Sequence, residues 1–131
     1  RYINDSKATN DVSAGVALSA LEGEVILLAG GRSKRAGYDA LLNAAKSANL
    51  TQVFAFGEAG EEIHTVFQDA GFESMVCEGL ESAVKAASRQ ARAGQCVLLS
   101  PACSSFDEFA NYAERGRSFK QFVRAATEEQ T

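Results

Sequence analysis

Short apolar runs alternate along this chain with stretches in which apolar positions recur at helical spacing. The runs VILLAG (25–30), VFAFG (53–57), SMVCE (74–78) and CVLLSP (96–101) predict strands, each bounded by turn residues or by a helical pattern. Between them Ala14, Ala17, Leu18 and Leu21 fall at i, i+3, i+4, i+7, as do Ile63, Val66, Phe67 and Ala70. Leu80, Ala83, Val84, Ala87 and Ala91 keep the same spacing, and Leu41, Leu42, Ala45 and Ala48 approximate it. Gly23, Gly71 and Gly94 stand where three of these patterns stop, the position of a left-handed C-cap. Strands that are continuously apolar and separated by helices imply a mainly parallel sheet covered on both faces: a Rossmann-like, three-layer α/β domain. Beyond the last strand, Phe106, Phe109, Ala110 and Ala113, then Phe119, Phe122, Val123 and Ala126, predict a C-terminal helical pair broken at Gly116.

In such sheets ligands gather outside the carboxyl ends of the strands. Three polar loops are expected there: NDSKATN (4–10) after a partial first strand, GGRSKRAG (30–37) and SPACSSFDEF (100–109). Their convergence is the main functional signal.

Composition narrows the class. At 131 residues, 46% hydrophobic and 23% charged, the chain has the size of a single domain (1–131) with one core. The run VILLA is far too short to cross a bilayer and no signal-peptide pattern opens the chain, so a cytoplasmic location is expected. A net charge of −4 argues against a nucleic-acid or anionic-membrane surface. Cys77, Cys96 and Cys103 have no C-x-x-C spacing and form an odd set, which predicts free thiols, with neither a disulfide framework nor a zinc site. The opening RYIND, without Met, reads as the tail of a strand already under way, as in a fragment.

Each motif has a plain structural reading beside the functional one. GGRSK lacks the second glycine and the hydroxyl after lysine that a G-x-x-x-x-G-K-[ST] loop needs. It is either a solvated basic loop or a sharp turn that sets Lys34 against a carboxylate or phosphate. Ser105 and Glu108 have capping-box spacing for a helix starting in FDEFANYA, and free N–H groups at such a start also suit a carboxylate. Thr9 or Asn10 would cap the helix carrying Ala14 to Leu21, while Asp5 and Lys7 add opposite charges at a strand end. Cys103 as a nucleophile would need a base, and His64, the one histidine, falls in a helical pattern between other strands as an exposed helix residue. No catalytic residue and no metal ligand is assigned.

Taken together, INDSKATN, LLAGGRSK and LLSPACSSFDEFANYAERG resemble the C-terminal domain of the Mur ligases, in the branch that adds D-glutamate. The resemblance spans nearly the whole chain. It implies an ATP-dependent, magnesium-requiring amide ligase of peptidoglycan synthesis, in which ATP phosphorylates the alanyl carboxylate of UDP-N-acetylmuramoyl-L-alanine and the D-glutamate amine attacks the acyl phosphate. It also implies absent N-terminal and central domains that hold the UDP-sugar, the phosphate loop and most magnesium ligands, so this chain alone is expected to be inactive. By resemblance Thr9, Lys34 and Ser105 surround the D-glutamate side-chain carboxylate, with Phe106 and Tyr112 adding contacts, Asp5 at the nucleotide ribose and Lys7 close to the cleft. The chain departs from the pattern in reading GGRSK where many relatives have GGDGK, and Tyr where Phe is common at 112. The competing readings are a stand-alone Rossmann-like small-anion module and the C-terminal domain of another Mur or folylpolyglutamate-type ligase.

Overall fold

The computed structural model describes residues 1–33 and 37–129. Elements follow in the order β1 (Tyr2–Asn4), α1 (Asp11–Ser19), β2 (Glu24–Gly30), α2 (Asp39–Ser47), β3 (Asn49–Phe56), α3 (Gly60–Asp69), β4 (Ser74–Cys77), α4 (Leu80–Gln90), β5 (Cys96–Ala102) and α5 (Tyr112–Glu129). Among the described residues, the strands form one parallel sheet in the order β1-β5-β2-β3-β4. This is the expected Rossmann-like α/β domain.

Strand alternation explains the three layers. Val25, Leu27 and Ala29 of β2, Val53 and Ala55 of β3 and Leu98 of β5 face one way, and pack with Ala14 and Leu18 of α1, Leu41 and Ala45 of α2, and Ile63 and Phe67 of α3. The intervening Ile26, Leu28, Phe54, Phe56, Val97 and Leu99 face Leu80, Ala83, Val84 and Ala87 of α4, and Phe119 and Ala126 of α5. Right-handed crossovers dictate the division. The steps β1 to β2, β2 to β3 and β3 to β4 run in one direction and put α1, α2 and α3 on one face. The return from β4 to β5 runs backwards and puts α4 on the other. Because β5 inserts between β1 and β2, the loops that follow these three strands lie side by side at one end of the sheet.

Gly23, Gly71 and Gly94 all have left-handed φ, at 81°, 92° and 90°, but only Gly71 directly follows a C-cap, Ala70 of α3. α1 and α4 end earlier, at Ala20 and Ala91, so Gly23 and Gly94 turn the connections beyond those helices instead of capping them. Asn10 is the N-cap of α1, its Oδ1 accepting from Ser13 N–H at 2.8 Å. β3 begins at Asn49, earlier than its apolar run, because exposed Asn49 and half-buried Leu50 pair with Glu24 and Val25.

The end of the chain differs from expectation. One helix, α5, replaces the pair broken at Gly116, and the segment before it is turns and bends. Gly116 is in the helix because its surroundings need a small residue: a Cβ there would lie 3.0 Å from Asn4 Nδ2 and 3.4 Å from Ser6 Cβ. Close approach to the first loop, not helix breaking, accounts for this glycine. Nor is Ser105 an N-cap: its carbonyl closes a turn by accepting Glu108 and Phe109 N–H, and Asn111 serves α5, taking Glu114 N–H at 2.8 Å. None of the three cysteines is in a disulfide. Among the described residues no helix is long and apolar enough to cross a membrane.

Candidate functional site

The first loop leaves β1 at Asn4. Asp5 N–H donates to Leu99 O at 2.8 Å, and Asp5 Oδ2 accepts from Ser100 Oγ at 2.8 Å, which fixes the carboxylate against β5 and leaves Oδ1 as its second acceptor. Ala8 O accepts Ala102 N–H at 2.9 Å, so the chain runs along β5 before Asn10 starts α1. Asp5 and Lys7 then line a cleft of about 470 Å³ with Ala8, Val12, Ser13, Val16 and Ala17. Val12 and Val16 are 61% and 68% exposed, an apolar wall facing solvent beside a carboxylate and an ammonium. Lys7 also borders a second groove, of about 310 Å³, with Tyr112, Arg117 and Lys120.

In the second loop Gly31 has a φ of 133°, and a Cβ on it would collide with Ser104 O of the third loop. Arg32 N–H donates to that same Ser104 carbonyl at 3.0 Å. The second loop is therefore laid against the residue preceding Ser105. Lys34, the cation expected here, lies outside the described residues.

In the third loop Ser105 is buried, whereas Phe106 is 61% exposed. The two acids that follow are committed to backbone donors. Asp107 Oδ2 accepts Glu58 N–H at 3.0 Å and Glu108 Oε2 accepts Leu80 N–H at 3.2 Å, the latter at the first residue of α4. Gly79 makes room, since a Cβ there would sit 2.8 Å from Glu108 Oε2. Burial pushes the Glu108 carboxyl above its ordinary value, with the Leu80 hydrogen bond acting in the opposite sense.

Cys103 is fully buried, with Sγ 3.6 Å from the Tyr38 hydroxyl. His64 is half-buried, not exposed, because its Nδ1 lies 2.9 Å from Ser74 Oγ at the start of β4. The thiol and the imidazole thus have separate structural partners, and neither forms the beginning of a nucleophile–base pair.

The residue that knits the site together is one the sequence reading passed over. Arg115, on α5, is 1% exposed and donates from Nε to Ser6 Oγ at 2.9 Å, from Nη2 to Ser6 O at 2.6 Å and from Nη1 to Cys103 O at 2.9 Å. The Ser6 hydroxyl in turn donates a hydrogen bond to Tyr112 O at 2.7 Å. A Cβ on Gly31 would stand 3.1 Å from Arg115 Nη1, so the guanidinium lies beneath all three loops. Burial pulls it down to about 10, while Asp107 and Glu108 among others pull the other way, and it stays charged at neutral pH. The signal was legible in principle: Arg115 lies at i, with Phe119, Phe122 and Ala126 at i+4, i+7 and i+11, a cation on the apolar stripe of α5.

The structure thus gathers Asp5 and Lys7 on one cleft, Lys7 and Tyr112 on the adjoining groove, and Ser105 with Phe106 on a loop tied to the second. Thr9 is half-buried between Ala8, bound to β5, and the α1 cap. Among the described residues no group of three or more His, Cys, Asp or Glu is placed to hold a metal ion.

Comparison with known proteins gives this arrangement a family. The family described as Mur ligase, glutamate ligase domain, matches residues 1–103. The chain is 44% identical over 124 residues to a UDP-N-acetylmuramoylalanine--D-glutamate ligase of Chlorobium limicola, a match covering 95% of this chain and 26% of that protein. It is 41% identical over 128 residues to the protein of the same name from Hahella chejuensis, covering 95% and 28% of the two chains. A Chlamydia trachomatis protein, again so named, is 41% identical over 122 residues, covering 93% and 29%. The chain therefore spans little more than a quarter of the length of these curated relatives. A parallel sheet whose first, second and fifth strands deliver three interlocked loops to one edge, matched over this length at this identity, places the chain in the Mur ligase family as its glutamate ligase domain.

Proposed function

We propose that this domain is the amino-acid-binding and closing part of an ATP-dependent ligase that joins D-glutamate to UDP-N-acetylmuramoyl-L-alanine in the cytoplasm. The observation that carries the reading is the set of three loops locked together over Arg115 in a chain this similar to ligases of that name. Lys34, Thr9 and Ser105 would surround the D-glutamate side-chain carboxylate, with Phe106 and Tyr112 completing the pocket. A carboxylate in a partly dry site asks for a cation and oriented neutral donors, which is what these types supply.

Asp5 and Lys7 would take the nucleotide. The cleft they line fits such a ligand: Oδ1 of Asp5 is an acceptor for a ribose hydroxyl, Lys7 offers a charge for a phosphate, and Val12 with Val16 forms an apolar wall for a planar base or a neighbouring domain. ATP would supply the phosphoryl group that turns the alanyl carboxylate into an acyl phosphate, and the D-glutamate amine would displace phosphate to leave the amide. This chain's own contribution is to bind and orient the amine-bearing substrate. Magnesium ligands and the UDP-sugar site would belong to the N-terminal and central domains, and the domain alone is expected to release no phosphate.

The test is Lys34→Ala in the full-length protein. Deleting one partner of a buried charge pair costs about 2–5 kcal/mol, so the D-glutamate KM should rise at least about 30-fold. The KM for UDP-N-acetylmuramoyl-L-alanine should hold. Ser105→Ala should give a milder rise, a neutral hydrogen bond being worth about 0.5–1.5 kcal/mol. An unaltered D-glutamate KM in Lys34→Ala would remove the amino-acid pocket from this loop.

A further inference from the structure

The β3–α3 turn together with the first residues of α3, residues 57–62, carries no residue that the D-glutamate reading uses, yet it grips the second and third loops at once. On the side of the second loop, Ala59 N–H donates to Gly31 O at 2.8 Å and Ser33 N–H donates to Glu58 Oε1 at 2.8 Å. The Ser33 hydroxyl donates to Glu62 Oε1. Tyr38, on the other flank of residues 34–36, donates its hydroxyl to Glu62 Oε2 at 2.7 Å. One carboxylate thus receives a hydroxyl from each flank of that stretch. Tyr38 is buried, and its hydroxyl is held well above the usual phenol range by burial and by this bond to Glu62, so it remains a donor.

On the side of the third loop the grip is a backbone-to-carboxylate bond with a fitted space. Asp107 Oδ2 accepts Glu58 N–H, and Gly57, at a φ of 71°, lacks the Cβ that would collide with that oxygen. Glu58 is therefore held by both loops, through its carboxylate to the second and through its N–H to the third. Hydrogen bonds with an ionised acceptor are the shorter and stronger kind, and here they run to both loops from one short turn.

We infer that the 57–62 turn sets the spacing between the second and third loops, with Glu62 and Asp107 as positioning residues for the D-glutamate pocket. The inference rests on the pocket assigned above. It differs from a purely structural role for Glu62, which would favour the first turn of α3 as any acid there does.

The measurement is steady-state kinetics on the full-length protein. Glu62→Ala and Asp107→Ala should each raise the D-glutamate KM about tenfold, since misplacing a binding group by a fraction of an ångström to 1 Å costs up to about two orders of magnitude. The KM for the UDP-sugar substrate should not move. Asp107→Asn, which keeps an acceptor oxygen for Glu58 N–H, should recover most of the loss, and Glu62→Gln part of it. The double alanine variant should be less than multiplicative, because either change alone already releases the spacing. Where an alanine variant folds poorly, Tyr38→Phe gives the same readout with one hydroxyl removed, at about threefold. A D-glutamate KM unmoved in these variants, or moved together with the UDP-sugar KM, would overturn the inference. If Lys34→Ala and Ser105→Ala raise the D-glutamate KM while these variants do not, the pocket stands and the spacing role fails. If none of them raises it, the pocket itself is misplaced.

Discussion

The first and third loops leave neighbouring strands, β1 and β5, at the same edge of the sheet, and both carry acids and hydroxyls. They use them in opposite ways. In the first, Asp5 and Lys7 border an open cleft, with a single hydroxyl from Ser100 orienting the carboxylate. In the third, Asp107 and Glu108 accept backbone N–H groups from the β3–α3 connection and from the first residue of α4, and hold the loop over the ends of β3 and β4. Charge in a motif therefore says little about ligand chemistry until its hydrogen-bond partners are counted: the first loop leaves groups for a ligand, and the third uses its charges to hold a shape.

The sharpest way to break this comparison is to remove what joins the two loops. Arg115→Ala would remove the buried charged donor shared by Ser6 O, Ser6 Oγ and Cys103 O, at about 1–3 kcal/mol for each buried acceptor that loses its bond. A loss of about 3 kcal/mol or more is expected in urea unfolding of this chain, the largest of any substitution considered. Arg115→Lys should recover little of it, because one ammonium cannot serve three acceptors in a fixed fork. A loss below about 1 kcal/mol would mean that the loops hold their places without the guanidinium.

Arg115 also shows where sequence reading stopped. Strands, most helices and the convergence of three loops were legible because period-2 and period-3.6 patterns and parallel connections leave few alternatives. The single α5 was missed because Gly116 was read for its helix-breaking tendency, when its role is to let α5 approach Asn4 and Ser6. Ser105 and Glu108 have the spacing of a capping box, but the carboxylate is taken by Leu80 N–H, 28 residues away in sequence, a partner that no local pattern reveals. The 57–62 turn was silent for the same reason: its glutamates look like an ordinary acidic helix start, and their partners Ser33, Tyr38 and Asp107 are distant in sequence. Local periodicity specified the scaffold, while the long-range polar contacts that shape the site lay beyond it.

A middle-sized effect separates the open loop from the closed one. Asp5→Asn keeps an acceptor for Ser100 Oγ and should leave the stability of this chain within about 0.5 kcal/mol. In the full-length protein it should raise the ATP KM about tenfold, since a hydrogen bond to a charged acceptor is worth about 1.5–3 kcal/mol. A variant that lost stability and kept its ATP KM would make Asp5 a structural residue like Asp107, and the contrast between the loops would collapse.

The smallest effect concerns Glu108, and it tests whether the third loop holds its shape with charge or merely with hydrogen bonds. The residue as a whole is exposed, so solvent screens it and the contribution is modest. Burial around the carboxyl nevertheless raises its pKa above the ordinary 4.5, with Asp107 nearby adding to the rise and Leu80 N–H and Arg115 opposing it. A group whose folded pKa is raised binds more protons in the folded than in the unfolded state between the two values. Its contribution to stability is then fully present below the ordinary value and is lost as pH climbs through the folded one. Glu108→Gln stays neutral throughout and keeps an oxygen for Leu80 N–H, so it should lack that loss. The difference in urea midpoint between the two proteins, followed from below pH 4.5 to neutrality, should shift steadily in favour of glutamine and then level off. The opposite slope, with the native protein gaining on the variant as pH rises, would mean that the ionised carboxylate at the start of α4 outweighs its desolvation, and the third loop would then be held by charge against a helix N-terminus.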